Sequence, residues 1–61
     1  MEGYVSDFTA HPGTFKVGNV EVQTMSTTKL EGMGTLADNI KIEVEGTMSD
    51  GVLVAHEVSF E

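Results

Sequence analysis

The segment Ile40-Lys41-Ile42-Glu43-Val44-Glu45 limits what this chain can become more than any other. Apolar and charged residues alternate without a break, three β-branched side chains against three charges. Only an extended strand puts those two sets on opposite faces, one toward a core and the other toward water. Nowhere does a stretch of ten or more residues keep the i, i+3, i+4 apolar spacing of a helix. The chain therefore reads as all-β.

Further strands fall into place around turn residues. Glu2 to Phe8 reads as a first strand, ended by Ala10-His11-Pro12-Gly13, where proline presets φ and glycine accepts positive φ. Thr14 to Val17 and Val20 to Thr24 flank Gly18-Asn19, a two-residue loop suited to a tight hairpin because both residues tolerate positive φ. Ser26 to Gly34, rich in threonine and glycine, reads as an irregular return. Thr35 with Asp38 three places on is a weak capping box, which predicts at most one short helical turn over 35–39 with Leu36 pointing inward. Asp50-Gly51 then marks a second hairpin, and Val52 to Phe60 is the last of five strands.

Two strands break period two. Leu53, Ala55, Val58 and Phe60 can all face inward only if one extra residue sits at His56-Glu57, which is how a β-bulge reads in sequence. Val5 and Phe8, three apart, suggest the same in the first strand. Bulges bend and over-twist a strand, so a short sheet bent at its first and last strands is expected to curl into a small five-stranded closed or partly open barrel. Closure also hides edges that a chain of 61 residues has few other means to protect. A faint echo, Glu2-Gly3-Tyr4-Val5-Ser6-Asp7 against Glu45-Gly46-Thr47-Met48-Ser49-Asp50, reads as one local solution used twice, a glycine after a glutamate where a strand bends.

Sixty-one residues make a single domain over 1–61, one that buries only about 60% of its unfolded surface. Both ends abut strand-like segments, so a module within a longer chain is expected. The absence of cysteine excludes disulfides, thiolate nucleophiles and cysteine metal sites. No apolar run approaches the roughly 20 residues that span a bilayer, so membrane insertion is not expected.

Three lysines stand against ten acids, a net charge of −7 that repels phosphate backbones and anionic membranes. By parity Phe8, Phe15 and Phe60 face inward, and strands two and three turn Thr14, Lys16, Glu21 and Gln23 outward. A single-strand platform needs exposed rings and a basic groove, so nucleic acid is not expected as a partner. His11 lies in a turn and His56 at the bulge, and two unpaired histidines more often stand on a surface than bind metal. Glu43, Glu45 and Glu57, with His56, could converge on a cation across the last hairpin, although no D-x-D-x-D-G loop is present and alternating glutamates usually serve solubility. No nucleophile with an adjacent base can be picked out, so an enzyme is not expected. What remains is surface: Val52 and Val54 are expected to point outward as an apolar strip near Tyr4 and the loop methionines Met33 and Met48.

Gly3-Tyr4-Val5, Phe15-Lys16-Val17 before a glycine turn, Val20-Glu21-Val22, Ile42-Glu43-Val44-Glu45-Gly46 and Asp50-Gly51-Val52-Leu53-Val54-Ala55 with Val58 together follow a known pattern. In this the chain resembles a small bacterial family known only as a domain of unknown function, over nearly its whole length. That family has a glycine before its fourth strand where this chain has Asn39, which also tolerates the left-handed region, and an apolar residue where this chain has Asp38. The resemblance implies a barrel of the oligonucleotide/oligosaccharide-binding (OB-like) type, or an SH3-like one, carried by exported or periplasmic bacterial proteins. The barrel is also similar to that of cytochrome-maturation haem chaperones, but no His-x-x-x-Tyr follows the last strand and no cofactor is expected. The expected function is a non-catalytic interaction module whose partner is a protein, a small ligand or a neighbouring domain of the parent chain. A small cation-binding domain is the alternative, and an oligonucleotide-binding barrel comes third.

Overall fold

The computed structural model of the chain describes residues 1–61. Six strands follow one another: β1 (Glu2–Ser6), β2 (Gly13–Val17), β3 (Val20–Thr24), β4 (Lys29–Glu31), β5 (Lys41–Ser49) and β6 (Val52–Phe60). Antiparallel pairing runs in the order β3-β2-β1-β5-β6, and β3 then pairs in parallel with β6, so five strands close into a ring. The expected all-β barrel is what forms. Ten side chains fill it, one to three from each strand of the ring, with Leu36 from the segment between β4 and β5.

The sixth strand lies in what the sequence reads as an irregular return. β3 meets β6 at Val52–Val54, the chain leaves it over 25–28, and β4 rejoins the same edge at Glu57–Ser59. Nothing in Lys29-Leu30-Glu31 signals a strand; it is one because β6 offers an unpaired edge there. The detour sits beside the expected bulge. Glu45 pairs with Glu57 and Gly46 with Ala55, which leaves His56 as the extra residue and keeps Leu53, Ala55 and Val58 in the core. Gly46 is required opposite the bulge, because a Cβ there would collide with the Val54 carbonyl oxygen. Thr28, buried, spans the interruption: its Oγ1 donates to the Ala55 carbonyl at 2.8 Å and accepts the Met25 N–H at 2.8 Å.

Three local expectations need correction. β1 stops at Ser6 because Asp7 adopts φ 52°, so the spacing of Val5 and Phe8 comes from a left-handed residue and not from a bulge. Phe8 still packs on the core, its ring 6.1 Å from that of Phe15. Gly13 does not supply positive φ; it opens β2, where a Cβ would lie 2.6 Å from the Ala10 carbonyl oxygen. Residues 35–39 make no helical turn. The Asp38 carboxylate accepts the Phe8 N–H at 2.8 Å instead of capping its own segment, and Asn39 turns the chain at φ 71°. Leu36 is nevertheless buried, as expected.

Both hairpins form as read. In the first only Gly18 takes positive φ (63°), as a type II′ turn requires; in the second Asp50 and Gly51 both do, at 50° and 82°, as in type I′. One end of the barrel is thus closed by two tight hairpins. The other carries the longer connections 7–12 and 25–40.

Candidate functional site

The acids singled out in the sequence do not converge on one point. Glu45 and Glu57 do face each other across β5 and β6, but Glu43 lies opposite Ser59 and its carboxylate is 3.5 Å from the Met1 amine. His56 is held by Thr47, whose Oγ1 is 3.1 Å from Nε2, and His11 by Thr24, whose Oγ1 is 2.8 Å from Nδ1. No three His, Asp or Glu side chains gather in the manner of a metal site. A different acidic group forms around Lys41, whose Nζ lies 4.0 Å from both Glu2 and Glu61. A hydrogen bond with Glu2 raises the pKa of Glu61 above the ordinary carboxylate range. Some desolvation and the charges of Glu2 and Glu43 act the same way, and Lys41 opposes them.

On the outer face of β2 and β3, Thr14 pairs with Gln23 and Lys16 with Glu21. Lys16 leans toward Asp7 at 3.9 Å, and Phe15 is buried beneath. The face carries one cation and no ring.

The proposed apolar strip is dispersed. Val52 and Val54 are only half-buried, but they sit between Glu21 and Gln23 of β3 and Ser49 and Thr47 of β5, so polar neighbours bound them on both sides. Met48 pairs with Leu53 and shares its face of the sheet, opposite to that of Val52 and Val54. Tyr4 pairs with Lys41, six residues along β5 from Thr47, which is about 20 Å at the rise of a strand. Met33 is on the loop after β4, 99% exposed. Alternation alone could not show this, because it assigns faces without saying which strands adjoin.

Exposed apolar surface gathers elsewhere, at the end with the longer connections. Met25, Leu30 and Met33 are half of the six large exposed hydrophobic side chains, all within nine residues. Beside them a groove of about 400 Å³ is lined by Phe8, His11, Leu30, Gly34, Thr35 and Leu36. Leu30 pairs with the fully buried Val58, yet remains 41% exposed because no strand lies beyond β4. Asp7 adjoins Phe8 and Glu31 adjoins Leu30 in the chain, Asp38 is two residues from Leu36, and of the three only Asp38 has no cationic partner. A wider recess of about 470 Å³ runs between the first half of β1, including Tyr4, and the Gly18-Asn19 turn.

Fold and surface together define a small all-β barrel with one tightly closed end and one apolar, acid-flanked end. Residues 2–59 match the family described as "Domain of unknown function (DUF5666)", and the chain belongs to that family. No curated protein and no solved structure matches it.

Proposed function

We propose that this domain is a non-catalytic binding module, and that its open end takes up an apolar side chain from a basic segment of a protein partner. The observation that carries this reading is the groove lined by Phe8, His11, Leu30, Thr35 and Leu36, with Leu30 exposed in it and Met25 and Met33 exposed on the same connection of the chain. The exposed thioethers of Met25 and Met33, on the same connection, are flexible enough to adapt to differently shaped side chains, and a net charge of −7 selects a cationic sequence around the anchor. The parallel β3–β6 closure of the ring supports OB-like over SH3-like connectivity. We further propose, from the family resemblance alone, that such a module is part of a larger exported bacterial protein.

Phenethylammonium, an apolar ring on a short cationic tail, is a minimal probe of this site. Titrated into the isotope-labelled domain, it is expected to shift the signals of Phe8, Leu30 and Gly34 to Leu36 saturably, and Leu30→Ser is expected to abolish the shifts while the spectrum stays dispersed. Shifts confined to the Tyr4 recess, or none at all, would refute the assignment of the open end.

A further inference from the structure

Half of β5 has an unpaired edge. β1 covers β5 only at Lys41–Glu43, and Met1 extends the cover to Val44 by a reciprocal pair of backbone hydrogen bonds. From Glu45 to Ser49 the edge of β5 that faces away from β6 pairs with nothing, and all five residues are exposed. Because Val44 directs its N–H and C=O toward β1, strand alternation directs those of Gly46 and Met48 to the same open edge.

We infer that this edge accepts an extended, basic segment of a partner protein, added antiparallel to β5 in line with β1. Exposed edges are templates for strand addition, and most proteins blunt them with lysine, proline or an inward charge. This edge carries none of these. Its side chains also specify the guest. Glu45 points outward directly opposite Glu57, and neither is within ion-pair distance of a cation, so a Lys or Arg beside Glu45 relieves a like-charge pair. Met48, on the core face but 56% exposed because β1 does not reach it, matches an apolar guest residue three places along. A second copy is a poor occupant, since it would bring two chains of net charge −7 edge to edge. The surface lies apart from the groove at the open end and does not depend on it.

The test uses an octapeptide alternating lysine with valine, titrated into the labelled domain. The Gly46 and Met48 amides are expected to shift on saturation, to exchange more slowly with solvent, and to show cross-strand contacts to the peptide. Met48→Pro removes an edge N–H at a position that bonds to no other strand and is expected to weaken binding by about tenfold with the spectrum still dispersed. Glu45→Lys, which leaves the backbone unaltered, is expected to weaken it as well, and the matching glutamate–valine peptide is expected not to bind the parent domain. Unmoved Gly46 and Met48 amides, or equal binding of the two peptides, would overturn the inference. So would concentration-dependent shifts at the same amides without peptide, which would mark self-association. Signals of Phe8, Leu30 and Leu36 report the groove separately, so the failure of one site is distinguishable from failure of the other.

Discussion

The two ends of the barrel are built by different means. At one end Gly18-Asn19 and Asp50-Gly51 reverse the chain in two residues each, and the order there comes from local backbone conformation. At the other, 7–12 and 25–40 have little regular structure of their own and are tied down by side chains reaching distant backbone. Asp38 holds the Phe8 N–H, Thr28 holds Ala55, and Thr24 binds both His11 and the Gly13 N–H. The tight-turn end has a recess between β1 and the Gly18-Asn19 turn, but no long connection shapes it. An end made of long connections has both a plug, Leu36, and exposed apolar surface around it, which is where binding surfaces on scaffolds concentrate.

That contrast can be broken by substitution. A domain of 61 residues has a total stability of roughly 3–9 kcal/mol. Leu36→Ala, which empties the plug of the open end, is expected to cost about 2–4 kcal/mol by denaturant unfolding. Gly51→Ala, which only strains one turn, is expected to cost about 1 kcal/mol. Equal costs would mean that the turn contributes as much to stability as the plug and would remove the contrast. Thr28→Val keeps the shape but leaves the Ala55 carbonyl and Met25 N–H without their partner, and is expected to cost about 1–3 kcal/mol. Its amide exchange should rise first around Met25 and β4; a uniform rise along the chain would show that the open end does not unfold separately.

The smallest effect is a pH dependence at Glu61. Its folded pKa is raised, so the folded state holds the proton more tightly than the unfolded one. Its contribution to stability is complete below the unfolded carboxylate value and is lost as pH rises through the folded one. Melting temperature should therefore decline across that window, and Glu61→Gln should flatten the decline. An unchanged slope would remove Glu61 from the Lys41 cluster as a source of pH dependence.

The echo between residues 2–7 and 45–50 shows how far local sequence reaches. Both copies end Ser-Asp, and both aspartates take positive φ, at 52° and 50°, ending their strands the same way. Gly3 and Gly46 both admit a neighbour that a Cβ would strike, the Val17 side chain in one case and the Val54 carbonyl in the other. Yet one copy is a ring strand paired on both sides, and the other ends in the open edge of β5.

The sequence by itself determined the alternation of β5, both hairpins, the inward set of side chains and the extra residue at His56. Each depends on residues close in the chain, whose spacing fixes faces and turns. Only the tertiary structure decided that Lys29–Glu31 is a strand, that Asp38 serves Phe8, that Val52, Val54 and Tyr4 lie apart, and where groove and open edge fall. Those outcomes depend on which strands adjoin in space. Adjacency comes from closing the ring, a choice made by the whole core at once and recorded in no short segment.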